Sequence, residues 1–467
     1  MVTTPGRILR TRRARIPAAG QRICRGPPRP RPATLAAPVL PRPDVAILGA
    51  GFCGTLLAVH LARAGRAVTL LDRTGRFGPG LAYGGHHPRH LLNTPAGRMS
   101  AFPDDPDHFT RWARARDPAV SGGSFLPRRD YGLYLEQLRA AHPITCLSGQ
   151  VTDLVPDARG FTLELPSATV HAPRVVLAVG NLPPTDHTGL GDDPRNHRDP
   201  WAFDPATIDR DAPVLLLGTG LTALDLALTL ADAGHRGPVH LASRRGLLPQ
   251  PHRLAARPPT YALDNLSEWP ATARGLLRHL RAEVRRVAAD DVDWRDVVAA
   301  LRPHTADLWR RLPHTEQDRF LRHLRPYWDT HRHRAAPETH AAVAELRARG
   351  QLHVHAAALR SATAATDALH LELRRRDGRP LHLAVAALLH CTGPATDLAA
   401  DPLLARLQAR GLVEPDPLHL GVAADAHGRV AENLYLTGPL RRADTWESTA
   451  VLELSSQVAA LAAHLTR

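Results

Sequence analysis

The sequence predicts an α/β protein of two parallel-sheet lobes, the second nested inside the first in chain order. Three observations predict it. Two all-apolar runs, Val45-Ala46-Ile47-Leu48 and Val214-Leu215-Leu216-Leu217, each lead into a glycine-rich turn and an apolar-faced helix. Such runs suit strands covered on both faces of a parallel sheet. Later apolar runs, at residues 175–179, 388–391 and 434–436, end at turn residues as strands leaving or rejoining a sheet would. The 467 residues are also enough for two or three domains of about 100–200 residues each.

Composition narrows the class. With 43% hydrophobic and 22% charged residues, the chain is neither collagen-like nor wholly disordered. No apolar run reaches the roughly 18 residues of a membrane span, so no membrane partner is expected and the expected location is cytoplasmic. The four cysteines, Cys24, Cys53, Cys146 and Cys391, form no CxxC pair. That argues against a disulfide scaffold, a structural zinc site and a redox dithiol. The formal net charge is +14, but residues 1–43 alone hold ten arginines and no acid. The body is only mildly basic, so nucleic acid is not an expected partner. Every basic residue is arginine and none is lysine, which a GC-rich coding bias explains.

Residues 1–43 are rich in Arg, Pro and Ala and have no apolar periodicity. They cannot offset their ordering entropy and read as a disordered tail. They also lack the apolar stretch of about 7–15 residues that a secretory signal requires. A translation start assigned too far upstream is a further reading of the same stretch.

The first glycine turn, Gly49-Ala50-Gly51-Phe52-Cys53-Gly54, is a complete G-x-G-x-x-G between strand and helix, and the next strand ends in Asp72. This is the Rossmann-like, dinucleotide-binding arrangement. Gly49 permits the tight turn, Gly51 lets a pyrophosphate approach the backbone, and Gly54 lets helix and strand pack. The helix N-terminus offers free N–H groups and partial positive charge to the phosphates. Asp72 can accept hydrogen bonds from ribose hydroxyls.

The pattern recurs as Gly218-Thr219-Gly220-Leu221-Thr222-Ala223, with alanine in the third place, an accepted variant. Here the following strand ends in Ser243-Arg244-Arg245 instead of an acid. A guanidinium pairs with a 2′-phosphate that a carboxylate would repel. The first site therefore favours a free 2′-hydroxyl and the second NADPH. The competing reading of Arg244 and Arg245 is two surface arginines in an arginine-rich chain. Two such sites without a dithiol or metal spacing point to FAD plus NADPH, with hydride passing from nicotinamide to flavin. The expected organisation is an FAD-binding domain over 44–200, an NADPH-binding domain over 201–393, and the rest of the FAD-binding domain over 394–467.

Within the second domain, Leu276, Leu280, Val284 and Val287 follow a 3.6-residue period. They predict a helical insertion, placed at 257–335, which is either a lid over a substrate pocket or a set of plain core helices. Residues 446–450 are expected to open a C-terminal helix whose N-terminus faces the flavin. Two histidine clusters, His86, His87 and His90, and His331 with His333, have no Cys or carboxylate at ligand spacing, so no metal is expected. Arg332 and Arg334 can contact an anionic substrate or an NADPH phosphate, or form a solvated basic loop. No G-x-S-x-G elbow occurs, and no catalytic side chain is assigned.

Several stretches together carry a family resemblance: residues 78–83, 90–95 with 99–102, 218–225, 243–249, 320–328 with 331–334, and Gly438-Pro439 with Trp446-Glu447. The chain resembles the bacterial FAD/NAD(P)-binding oxidoreductase family, related to flavin-containing and N-hydroxylating monooxygenases, across residues 44–467. The resemblance implies an NADPH domain inserted in an FAD domain. It also implies that residues 90–102 wrap the isoalloxazine ring, with Asn93, Met99 and Ser100 against it. The cofactor-binding set it implies is completed by Gly49, Gly51, Phe52, Cys53, Gly54, Asp72, Arg73, Val151 and Gly180 on one side. On the other side it adds Gly218, Gly220, Leu221, Thr222, Ser243, Arg244, Arg245, Thr392 and Gly393. The last members are Gly438, Pro439, Trp446, Ser448 and Thr449. One departure stands out: flavoproteins often place Asp after the glycine of the last core strand, and here Pro439 follows Gly438. A ribityl contact must then come from backbone or elsewhere. The expected activity is NADPH-driven monooxygenation, O₂ and a small nucleophilic substrate (an amine among the candidates) meeting at a flavin hydroperoxide. The alternatives are a reductase serving a quinone or protein acceptor, and a non-catalytic flavin-binding protein.

Overall fold

The computed structural model describes residues 42–85, 87–254 and 261–467. The expected tail before Arg42, His86 of the first histidine cluster, and residues 257–260 of the expected insertion lie outside the described residues. The rest forms one compact unit containing two large sheets.

The first sheet has six strands in the order Arg429–Ala431, Leu434–Leu436, Arg174–Leu177, Val45–Leu48, Val68–Asp72 and Thr145–Ser148. All pairings are parallel except that of the first two. Val45 stands in register with Val68 on one side and Arg174 on the other. Both faces are covered, so Val45–Leu48 is apolar throughout and not alternating. On one face pack the helices Phe52–Arg63 and Val451–Leu465, through Leu57, Leu61, Val458 and Leu461. On the other lie a three-stranded antiparallel sheet and the helix Pro402–Ala409, through Leu154, Phe161, Leu404 and Leu407.

The chain then leaves for the second sheet and returns to the first only at 429–436. The second sheet runs Pro380–Val385, Leu369–Arg375, Leu352–Ala364, Val239–Ser243, Val214–Leu217, Ala387–His390, Asn196–His197. Its core is parallel, and an antiparallel ribbon forms one edge. The helix Leu221–Asp232 covers one face with Val343 and Leu346 of the helix Pro337–Ala348. The two-lobe, nested α/β architecture read from the sequence is therefore present, with one Rossmann-like sheet per glycine turn.

Between strand Val239–Ser243 and the helix Pro337–Ala348 lies the helical segment: Ala273–Ala288, Trp294–Ala300, Thr305–Arg311, His314–Arg319 and Arg325–Arg332, with a π-helical turn over Phe320–Leu324. The expected apolar stripe is only partly a core stripe. Val287 is buried, whereas Leu276, Leu280 and Val284 are half-buried, because Ala273–Ala288 lies on the surface of the unit and not between layers.

A buried ion pair ties the first lobe to the second glycine-turn helix. Arg128, at the start of helix Arg128–Ala140, sits 2.7 Å from the Asp225 carboxylate in the second glycine-turn helix. Asp225 is almost wholly buried, and that burial pushes its carboxyl up to about 6 against the downward pull of Arg128. His90 Nε2 donates to the Asp225 carbonyl at 3.1 Å and lies 2.8 Å from Thr229 Oγ1. Arg89 and His87 pair with Asp232 one turn further on.

Arg128→Ala strands a buried carboxylate, a loss of about 3–5 kcal/mol for such a pair. Denaturant unfolding at neutral pH should show it, and the Arg128→Met, Asp225→Leu double variant should recover most of it. The raised Asp225 carboxyl also makes the folded chain hold a proton that the unfolded chain releases. Its contribution to stability should therefore fall as pH climbs from about 4 to about 6, a slope that Asp225→Asn should flatten.

Candidate functional site

The first glycine turn is shaped by contacts that leave no room for side chains. Gly49 has φ +104°, and a methyl group there would strike the Ala178 carbonyl oxygen. One on Gly54 would strike the Gly49 carbonyl oxygen. Gly51 caps the helix Phe52–Arg63 in extended geometry with no side-chain cap, which leaves its first-turn N–H groups available. Asp72 reaches back to this turn: its Oδ2 accepts from the Ala50 amide at 2.9 Å and its Oδ1 from Thr74. Gly80, at φ +54°, would put a methyl carbon 2.7 Å from Gly51 Cα. The two loops thus approach as closely as only glycine allows. Gly438 (φ +99°) comes up from the last core strand, its Cβ position 3.4 Å from Cys53 Sγ. Its amide donates to Gln457 Oε1 at 2.8 Å.

The second turn repeats the device. A methyl group on Gly218 would strike the Cys391 carbonyl oxygen, whereas one on Gly220 would meet nothing within 4 Å. Open space over the helix N-terminus is what a phosphate group needs. Thr219 Oγ1 donates to the Leu247 carbonyl at 2.6 Å, and the Gly246 amide donates to Ser243 Oγ at 3.0 Å. These bonds fix the loop carrying Arg244 and Arg245. Arg245 is engaged: it donates to the His323 carbonyl at 3.2 Å and lies 5.3 Å from the Tyr327 ring centre. Arg244 is exposed.

A cleft of about 1110 Å³ runs from this turn between the lobes and under the helical segment. It brings together Asn93, Met99, Gly218, Gly220, Leu221, Thr222, Ser243, Arg244, Arg245, Thr392, Gly393, Trp446 and Thr449. Trp446 stacks on Trp309 (centroids 4.6 Å, planes 23° apart) with Phe320 edge-on. Beside it Glu447 is buried in left-handed geometry, φ +76°. Trp328 Nε1 donates to its carboxylate at 2.6 Å, Arg332 pairs with it at 3.1 Å, and His333 stands 3.8 Å away. Burial pushes the Glu447 carboxyl up, but His333, Arg332 and Trp328 outweigh that and hold it below the usual range.

Other expected site residues lie elsewhere. Ser100 is buried with its hydroxyl donating to the Asp105 carbonyl at 2.6 Å and accepting from the Phe102 amide at 3.1 Å. It staples its own loop and has no hydrogen left to offer a cofactor. Val151 is packed in the core beneath the first sheet. Phe52 points into an aromatic cluster with Tyr83 and Tyr131. Arg73 is exposed at the strand end. Gly180, at φ +74°, has open space around it. Pro439 begins a short 3-10 turn. Ser448 faces a separate cavity of about 750 Å³ behind the C-terminal helix. That helix begins at Val451 and not at Trp446, because the left-handed Glu447 cannot continue a helix. Sequence reasoning passed over Gly80, although its Gly-Pro-Gly setting was a signal, and over Gln457, for which no local signal exists.

The residues present fit a bound dinucleotide. The Gly220 position leaves open space over the helix N-terminus, a Cβ on Gly51 would meet only Gly80 Cα at 3.6 Å, and one buried donor at the cleft, Trp446 Nε1, has no protein partner. Residues 46–182 match the family model described as FAD-NAD(P)-binding. This part of the chain is an FAD-NAD(P)-binding domain. No curated protein sequence matches the chain. Solved structures share its fold. The Kutzneria sp. 744 ornithine N-hydroxylase, with reduced FAD, NADP⁺ and L-ornithine, is 18% identical with TM-score 0.62 over 91% of this chain and 99% of that one. The reduced ornithine hydroxylase of Pseudomonas aeruginosa is 16% identical, TM-score 0.63, over 91% and 99%. The FAD-bound cadaverine monooxygenase of Erwinia amylovora is 13% identical, TM-score 0.63, over 91% and 95%. No described helix is long and apolar enough to cross a membrane.

Gly220→Ala should leave thermal stability unchanged, since the methyl group enters open space, yet weaken NADP⁺ binding by blocking the close approach of phosphate. Arg244→Ala should cost a charge-assisted contact of about 1.5–3 kcal/mol, read as a rise of about tenfold or more in the NADP⁺ dissociation constant. Binding of NAD⁺ should be little affected by the same change.

Proposed function

We propose that the chain is an NADPH-dependent FAD monooxygenase acting on a small nucleophilic substrate. The observation that carries this reading is the convergence of both glycine-turn lobes on one cleft that contains no thiol pair. Bound flavin would supply hydride acceptance from NADPH and activation of O₂. The first turn, with Gly51, Gly80, Asp72 and Gly438, would hold the FAD. Gly220 and Thr222 would take the NADPH pyrophosphate at the helix N-terminus, and Arg244 the 2′-phosphate. Asn93, which lines the cleft, accepts from His252 Nε2 through its backbone carbonyl at 3.0 Å. Trp446 and Phe320 would exclude water from the reacting centre, where charge stabilisation counts for more.

A disulfide-reductase reading fits less well. Cys53 and Cys391 are buried and separate, and burial pushes the Cys53 thiol up to about 12 and the Cys391 thiol higher still. Neither is a thiolate at neutral pH. The two also sit under different glycine turns.

The test is aerobic NADPH consumption by the FAD-loaded protein with candidate amines and acids, with peroxide and product quantified. Product formed in step with NADPH consumption supports monooxygenation. Stoichiometric peroxide with every substrate, alongside rapid anaerobic reduction of a quinone, would instead establish a reductase.

A further inference from the structure

The part of the cleft lined by Arg98 and by residues between 253 and 334 carries more positive charge than its own acids neutralise. Six arginines stand there: Arg98, Arg253, Arg295, Arg302, Arg332 and Arg334. Four are paired with carboxylates. Arg253 bonds Asp296 at 2.7 and 2.9 Å, and Arg295 reaches Asp293 at 3.1 Å. Arg302 bonds Glu453 in two places, and Arg332 lies between Glu447 and Glu453.

Arg98 and Arg334 differ. Among the described residues neither has an ion-pair partner, and Arg334 Nε is buried with no hydrogen-bond acceptor. The Arg334 guanidinium lies 5.9 Å from the centre of the Trp294 ring. Burial first, then Arg332, Arg295, Arg253 and Arg98, pulls Arg334 down to about 10, still cationic at neutral pH. Burial also lowers His252 to about 4, so this neighbour is neutral and adds no charge. Further along the wall, Asp329 faces both Arg325 and Arg442 and does not redress the balance. Partly burying cations without partners is costly, so an anion that completes the site gains from both.

We propose that Arg98 and Arg334 form the anchor for an oxyanion group, a carboxylate or phosphate, on the substrate. The substrate is then an acidic or zwitterionic small molecule and not a simple polyamine. A guanidinium fork matches either group bidentately. A diamine would add positive charge to a wall that already has an excess. This rests on reading the cleft as the reacting site, but its test needs no turnover. Loss of NADPH-driven product formation would therefore strike the proposed function and leave this anchor standing, and the reverse also holds.

The experiment is calorimetric titration of the chain saturated with FAD and NADP⁺, so that nucleotide phosphates already occupy their own places. The probes are glutarate, δ-aminovalerate, the diamine of the same chain length, and inorganic phosphate. Glutarate or δ-aminovalerate binding identifies a carboxylate anchor, and phosphate binding alone a phosphate anchor; the diamine should not bind. Arg334→Gln and Arg98→Gln should each weaken binding by about tenfold or more, Arg334→Lys should restore part of it, and Arg310→Gln, on an exposed arginine outside the cleft, should leave it unchanged. Unaltered FAD content and melting temperature identify the variants as folded. Preferential binding of the diamine, binding of no oxyanion, or affinity indifferent to Arg98 and Arg334 would each overturn the proposal. So would a rise in the NADP⁺ dissociation constant in these variants, since the two arginines would then serve the nucleotide.

Discussion

The structure depends on one constraint: the helix that follows the second glycine turn must stay seated against the first lobe. For the proposed function, reacting groups carried by the two lobes must meet within roughly 3–3.5 Å, so a lobe that rocks by an ångström would lose the reaction. The Arg128–Asp225 pair enforces this at the helix Leu221–Asp232, which follows the second glycine turn. A buried carboxylate with one cationic partner tolerates no sliding, because displacement leaves both charges desolvated. His90 reinforces the pair, and burial lowers its imidazole to about 4. It is therefore neutral at physiological pH, and its contacts do not vary there.

The helical segment has a second task beyond covering the cleft. Glu447 is held in a left-handed conformation that costs a non-glycine residue about 1–3 kcal/mol. Such strain persists only when the surroundings over-determine it. Here they do: Trp328, Arg332 and His333 all come from the segment and converge on one carboxylate. Trp309 Nε1 donates to the Ala443 carbonyl at 2.8 Å and stacks on Trp446. The loop before the C-terminal helix is therefore shaped by residues more than a hundred positions earlier. Its two orphaned donors, Trp446 Nε1 and Ser448 Oγ, are held in place before any ligand arrives.

Features encoded by neighbouring residues were legible in the sequence. Each glycine turn is written in six consecutive residues, and its strand and helix follow from apolar runs of the right length. The nested chain order followed from where later apolar runs ended. Features set by distant partners were not legible. Asp225 reads as one polar residue in the helix Leu221–Asp232, and nothing near it names Arg128. Ser100 reads as a cofactor contact until the fold shows its hydroxyl closing its own loop. The start of the last helix was misplaced because its delay comes from the Glu447 conformation, which the helical segment imposes. The stripe from Leu276 to Val287 has true helical periodicity, but period alone does not say how deep a helix lies.

Arginine illustrates the same limit most sharply. In a chain whose every Lys/Arg cation is arginine, the identity of a basic residue carries almost no information. Composition alone would explain Arg98 and Arg334 as readily as Arg310 or Arg322. Pairing separates them. Arg310 and Arg322 are exposed and matched to Asp307 and Asp318 on their own helical faces, where water screens the charge and the pairs contribute little. Arg98 and Arg334 are partly removed from water and left unmatched, beside four arginines that all have acids. A compositional bias can supply guanidinium groups anywhere, but it cannot choose to withhold carboxylates at one place. Unbalanced charge on half-buried residues of a cleft is retained where something that visits the cleft balances it.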